Sequence, residues 1–260
     1  MKLECRNIYK IFEQGQKETL AIEDISFETH EGEFLCILGP SGCGKSTLLR
    51  IIAGLLSPTS GDIIYSGEKS SGPLNSMVFQ EYGVFPWMNV IDNVAFGLEM
   101  RGVPKDERYD RSLEYLKRVG LSKYAYRNPH ELSVGMRQRI ALARAFVNNP
   151  AILLMDEPFG SLDAQTRLIL QDELLKIWKE QQKTVVFVTH DIDEAILLGD
   201  RVLVMTSVPG RIKEVMNVGI RRPRNLQMES SREFVDLRMN IWNIIRSEVE
   251  KSMRLDHDDS

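Results

Sequence analysis

Short apolar runs punctuate the chain, and each reads as a buried strand: FLCIL (34–38), SMVF (76–79), AILLM (151–155), TVVFVT (184–189) and RVLVM (201–205). None shows the alternation of a half-exposed sheet, so both faces of these strands are expected to be covered. Between them lie segments with helical spacing of apolar positions, above all STLLRIIAGLL and AQTRLILQDELLKIWKEQ. Strands alternating with helices predict an α/β fold with a mainly parallel sheet. Ligands in such folds sit beyond the carboxyl ends of the strands. Polar residues follow four of these runs at that end: GPSGCGKST, Gln80, Asp156 with Glu157, and His190.

The first of these ends is the most specific. Gly39-Pro40-Ser41-Gly42-Cys43-Gly44-Lys45-Ser46 fits the phosphate-loop pattern GxxxxGK[ST], after a strand and before a helix. Glycines let backbone amides turn toward phosphate oxygens, and the helix N-terminus adds positive potential. Lys45 can reach the β- and γ-phosphates, and the Ser46 hydroxyl suits Mg²⁺. Asp156, at the end of an apolar strand, can order the water shell of that ion. Glu157 beside it can polarise an attacking water. A lone acidic residue often does no more than begin a loop. Next to a phosphate loop, the catalytic reading is the stronger. His190 sits at the end of another buried strand, as a catalytic group would, although a lone histidine is more often structural. Gln80 alone would be unremarkable.

The segment HELSVGMRQRI (130–140) begins a helix, with Ser133 as its N-cap and IALARAF continuing the apolar spacing. Small residues at a helix start favour the approach of an anion. Val134, β-branched, stands between Ser133 and Gly135 and is out of place there. Valine is acceptable at negative φ, so an ordinary backbone is expected at this position.

Composition narrows the class. At 260 residues, 43% hydrophobic and 27% charged, the chain has the makeup of an ordinary globular protein. A net charge of −4 gives no general nucleic-acid footprint. Three cysteines without metal-like spacing fit a reducing cytoplasm. The segment MKLECRNIYK lacks a signal-peptide core, and no apolar run approaches the roughly 18 residues of a membrane span. Work at a membrane would therefore go through a partner. The closing DHDDS reads as a disordered tail.

Together these pieces resemble the ATP-binding subunits of ABC transporters. GPSGCGKST is similar to the Walker A motif, ILLMDE to Walker B, VFQ to the Q-loop, SLD (161–163) to the D-loop and VTHD (188–191) to the switch histidine. LSVGMRQR resembles the ABC signature, usually LSGGQ, with the first glycine replaced by Val134. All occur in family order, over residues 2 to 210 at least. The text GCGKSTLLRIIAGL, FPWMNVIDNVAFGLE, MDEPFGSLDAQTR and FVTHDIDEA resembles the nitrate, sulfonate and taurine importer branch.

The resemblance implies a P-loop NTPase core with a mainly parallel sheet, an N-terminal antiparallel β part, and an inserted helical subdomain at about 81–132. Residues 1–230 would be the ATP-binding domain and 231–260 a C-terminal amphipathic helix and tail. It implies ATP and Mg²⁺ as ligands, with Phe12 on adenine and Gly39 to Thr47 on the phosphates. Ser46, Gln80 and Asp156 would serve the metal, Glu157 would be the general base, and His190 would hold the γ-phosphate. Asp163 would link two sites. Ser133, Val134, Gly135 and Met136 would act in trans from a second cassette. The implied partners are a second copy, membrane permease subunits and, through them, an extracytoplasmic binding protein, with no nucleic acid. The place of work would be the cytoplasmic face of the membrane. A soluble ABC ATPase of repair or cluster assembly is the alternative. A small-molecule phosphotransferase leaves the signature, SLD and His190 unexplained.

Three further features allow two readings each. EYGVFPWMNV (81–90) is rich in large apolar residues, and either packs the helical subdomain or receives a helix of the permease. Phe234, Leu237, Ile241, Ile245 and Val249 recur at helical spacing, giving a helix expected to pack on its own core rather than lie on a membrane surface, since acidic residues interrupt its polar face. Cys43, near a helix N-terminus, is either a reactive thiolate or a small residue filling a permissive position.

Overall fold

The structure, a computed structural model, describes residues 1–15, 17–67, 71–81 and 83–258. The first half of the chain carries β1 (Lys2–Gln14), β2 (Lys17–Glu28), β3 (Phe34–Leu38), α1 (Lys45–Ile52), β4 (Ser60–Ser66), β5 (Asn75–Val78), α2 (Val90–Met100) and α3 (Lys105–Arg118). The second half carries α4 (Val134–Val147), β6 (Ile152–Asp156), α5 (Ala164–Gln181), β7 (Thr184–Thr189), α6 (Ile192–Leu198), β8 (Arg201–Met205), β9 (Ile212–Asn217) and α7 (Arg232–Asp258). Two compact units result: Met1–Glu68 with Thr184–Ser260, and Lys69–Lys183.

In the first unit β2, β1 and β4 form an antiparallel sheet. A second sheet has β3 between β7 and β8, parallel to both, and β9 added antiparallel outside β8. β3 and β7 are buried at every position, as their unbroken apolar runs require. Phe34 and Phe187 pack with ring centroids 5.7 Å apart. Each such side chain contributes roughly 1.5–3 kcal/mol by leaving water.

The helix after the phosphate loop is shorter than its apolar pattern. STLLRIIAGLL extends to residue 56, whereas α1 ends at Ile52. Gly54 takes φ 74°, and its N–H bonds back to Ile51 O at 3.0 Å. A left-handed glycine just past the last turn ends the helix more firmly than hydrophobicity prolongs it.

The second unit pairs β5 with β6 in parallel. Around them α2, α3 and α4 pack on one another, and α4 also meets α5. α5 spans Ala164–Gln181, with Asp163 as its N-cap and Gln182 in the left-handed region closing it.

α7 belongs to the first unit and packs on α6 and β8. Phe234 and Ile241 are fully buried, the core packing expected of this helix. It also runs to Asp258, so most of DHDDS is helical rather than a disordered tail. Asp259 and Ser260 lie outside the described residues.

Candidate functional site: strand ends, a phosphate loop and a signature pocket

In the first unit, the phosphate loop and His190 leave neighbouring strands at the same end, because Leu38 of β3 is in register with Thr189 of β7. Gly39 to Gly44 make the turn into α1, which begins at Gly44 with φ 98° and no side-chain cap. A Cβ on Gly44 would meet Ala21 O at 3.1 Å, so β2 leaves room there for glycine alone. Ser41 and Gly42 are exposed, Pro40, Ser46 and Thr47 half-buried. Lys45 is buried, its Nζ donating to Gly39 O at 2.8 Å and Pro40 O at 2.9 Å. An ammonium held in the bend of the loop, beside the uncapped amides of α1, suits a polyphosphate. Cys43 is buried, with its Sγ 4.0 Å from Lys45 Nζ. Burial suits the space-filling reading of this thiol, whereas the neighbouring ammonium suits the reactive one, so both stand. Phe12, on β1, is a partly exposed ring with Lys10 Nζ 5.1 Å from its centroid.

His190 is exposed in a tightly determined turn. Thr189 Oγ1 accepts from Asp191 N–H at 3.0 Å and donates to Glu194. Asp191 caps α6 by accepting from the N–H groups of Asp193 at 2.9 Å and Glu194 at 3.1 Å. Thr189 and Glu194 were not legible as site residues. A polar residue before HD and another five positions after it were their only trace.

In the second unit, Val78 of β5 is in register with Met155 of β6, so Gln80, Asp156 and Glu157 leave the strands at a common end. Asp156 is the last residue of β6 and is buried. Glu157 has φ 43°, uncommon for a residue with a Cβ. Backbone strain of this kind concentrates at functional positions.

The signature and the D-loop, far apart in sequence, line one pocket of about 520 Å³. Its walls are Ser133, Val134, Gly135, Met136 and Arg139 with Ser161, Leu162, Asp163 and Thr166. Ser133 caps α4, its side chain accepting from Met136 N–H at 3.3 Å. Val134 has no positive φ and is the first residue of the helix, partly exposed, as expected. A relation the sequence did not reveal ties Gly135 to α5: a Cβ there would lie 2.7 Å from Thr166 Cγ2, so the threonine methyl would have to shift. Thr166 is in turn fixed by Asp163, whose carboxylate accepts from its N–H at 3.0 Å. That N–H and then the Thr166 hydroxyl hold the Asp163 carboxyl below its ordinary range.

In the apolar stretch after the Q-loop, Phe85 sits at the centre of a ring cluster, with the Trp87 ring 5.4 Å from its own. Phe85 packs against Phe96 at 4.7 Å between centroids, with the Arg144 guanidinium 5.2 Å from the same ring. Trp87, by contrast, is 74% exposed. Its loop is pinned by buried Asn93, which accepts from Phe85 N–H at 2.7 Å and donates to the carbonyls of Phe85, Met88 and Asn89 at 3.0–3.1 Å. Tyr82 lies outside the described residues.

A family model described as ABC transporter matches residues 22–160. The chain belongs to the ABC transporter family. An uncharacterised ABC transporter ATP-binding protein of Methanocaldococcus jannaschii is 50% identical over 256 residues, covering 98% of this chain and 95% of that protein. The nitrate import ATP-binding protein of Synechocystis sp. is 42% identical over 239 residues, 90% of each. Taurine and aliphatic sulfonate import proteins are also among the relatives of this ABC cassette. A dimeric cassette structure bound to ADP and Pi superposes with a TM-score of 0.74 at 33% identity, over 83% of this chain and 98% of that one. This chain is therefore an ATP-binding subunit of the importer branch, not a soluble repair ATPase.

Proposed function

We propose that this cassette works as a homodimer on the cytoplasmic face of a membrane, where ATP hydrolysis drives import of nitrate, a sulfonate, taurine or a related small solute. The observation that carries this reading is the union of signature and D-loop in one pocket, on a chain that also bears an uncapped phosphate loop. A pocket built for another molecule's phosphate makes sense if a second copy supplies it. Among the described residues no helix is long and apolar enough to cross a membrane, so attachment falls to permease subunits and, through them, to a binding protein. Residues 1–230 would form the cassette and 231–260 its appended helix.

In each site Phe12 would stack on adenine, and the loop from Gly39 to Thr47, with Pro40, Ser41, Gly42, Cys43 and Gly44 in its turn, would surround the phosphates. Lys45 would bind β- and γ-oxygens in place of its loop carbonyls. Glu157 would accept the proton of the attacking water, and His190 would hold the γ-phosphate. Ser133 and the Gly135 amide of the second copy would close on that phosphate, with Asp163 passing closure between sites. Phosphoryl transfer depends chiefly on positioning and charge stabilisation, which fits a helix start delivered in trans. Among the described residues no cluster of His, Cys, Asp or Glu could hold a metal unaided. Hydroxyl, amide and a single carboxylate, from Ser46, Gln80 and Asp156, suit Mg²⁺ shared with phosphate. When bound, Mg²⁺ supplies neutralisation of phosphate charge.

Glu157→Gln tests the catalytic assignment: ATP should still bind and the dimer still form, while turnover falls at least about 100-fold. Turnover at the wild-type rate would remove Glu157 from its role. Trp87→Ala tests the partner: ATPase activity of the isolated cassette should be unchanged while co-purification with the permease is lost. Retained association would return the loop to internal packing. The solute is tested by binding measurements on any extracytoplasmic binding protein encoded beside this chain.

A further inference from the structure

The roles above leave the C-terminal segment, including the RRPR of residues 221–224, without work. In the structure that segment grips α6 at both ends. At the carboxyl end, buried Arg224 donates from Nη1 to Ile196 O at 2.9 Å and Gly199 O at 2.5 Å, and from Nε to Ile220 O at 2.8 Å. Arg222 donates to Leu198 O at 2.5 Å and pairs with Asp200 at 2.7 Å. Asp200 in turn accepts from Phe34 N–H at 2.9 Å, which ties this corner to β3. The last carbonyls of a helix lack partners within it and attract cations, so two arginines suit the place.

At the amino end, Arg238 of α7 pairs with Asp193 through Nε at 2.5 Å. Its guanidinium lies 5.1 Å from the ring centroid of Phe234, and Phe234 is fully buried. Asp193 belongs to the first turn of α6, whose cap, Asp191, is the residue after His190. The turn that Arg238 steadies is thus the turn that presents His190.

We propose that Arg238 and Arg224 are positioning residues, through which the C-terminal segment holds α6 and so sets the place of His190. This rests on the reading of His190 as the γ-phosphate ligand. Arg238 offers the cleaner test, since Arg224 is buried and its loss endangers folding. Glu229 shares the corner: burial raises its carboxyl first, Asp193 and Asp191 raise it further, and Arg238 opposes them. Arg238→Glu would add a fourth carboxylate to Asp191, Asp193 and Glu229.

The experiment uses the purified full-length cassette and measures kcat, KM for ATP and Tm. Exposed ion pairs are worth up to about fivefold in an equilibrium, and like-charge contact adds to that. Arg238→Glu should lower kcat about five- to tenfold, with KM within about twofold and Tm within about 2 °C of wild type. Asp193→Arg should do the same, and the double exchange should return kcat to within about twofold. Unchanged kcat in Arg238→Glu, or a loss matched by a fall in Tm, would overturn the positioning role. A double exchange that stays slow would overturn the ion pair as its route. His190→Ala is run in parallel. If it hydrolyses ATP at the wild-type rate, the underlying reading of His190 fails instead.

Discussion

Two helix starts in this molecule are assigned to phosphate, and they are built in opposite ways. α1 opens on Gly44 in the left-handed region, a residue with no side chain to cap it. α4 opens on Ser133 in extended conformation, with its own hydroxyl already on Met136 N–H. In the proposed dimer the first would bind the phosphates of the chain's own ATP, and buried Lys45 stands beside it. In the proposed dimer the second would meet the phosphate of ATP bound on another copy. Its donors need an internal partner meanwhile, and a neutral hydroxyl at 3.3 Å is one that a phosphate can displace. α5, next to it, is capped instead by the carboxylate of Asp163, which repels anions. In the proposed dimer that start would therefore not be the one that meets phosphate.

The contrast can be broken from the α1 side with the largest effect. Gly44→Ala forces a Cβ into a φ that costs about 1–3 kcal/mol, against a carbonyl already at contact. ATP affinity, measured by calorimetry, should fall at least about tenfold, with hydrolysis lost as a consequence. Affinity near wild type would mean that β2 yields and the loop tolerates a side chain.

On the α4 side the loss should be in turnover rather than binding. Gly135→Ala collides with Thr166, so kcat should fall at least about tenfold while ATP affinity stays within about twofold. Thr166→Ser removes the colliding methyl and keeps the hydroxyl near Asp163. Gly135→Ala with Thr166→Ser should therefore recover most of the rate. Failure to recover would mean that glycine is required by the approaching phosphate, not by the neighbouring helix.

Val134→Gly should have the smallest effect. The valine sits on the pocket wall with ordinary backbone, so its removal should leave kcat equal or raise it a few-fold. Glycine in a helix costs about 1 kcal/mol, so Tm should fall by a few degrees. A marked loss of rate would show that the valine contributes to closure.

Much of the site was legible because its chemistry is local. The phosphate loop, the acidic pair after β6 and the histidine after β7 each follow an apolar run that can only be a buried strand, and β7 and α5 fall where the pattern placed them. What escaped was set by neighbours distant in sequence. Gly135 looked like an opening for phosphate, and it is also the space that Thr166 fills. Phe85 and Trp87 looked alike as apolar residues, and packing on Phe96 buried one face while the other ring was left outside.

The sequence by itself determined the five apolar strands, the starts of α1, α4 and α5 and the polar residues at the strand ends, since each depends on residues within a few positions. Only the tertiary structure decided that signature and D-loop share a pocket, and that RRPR and α7 close on the two ends of α6. The reason is physical. Hydrophobic periodicity names the face a segment buries, whereas which helix it meets depends on packing between segments that the local pattern does not encode.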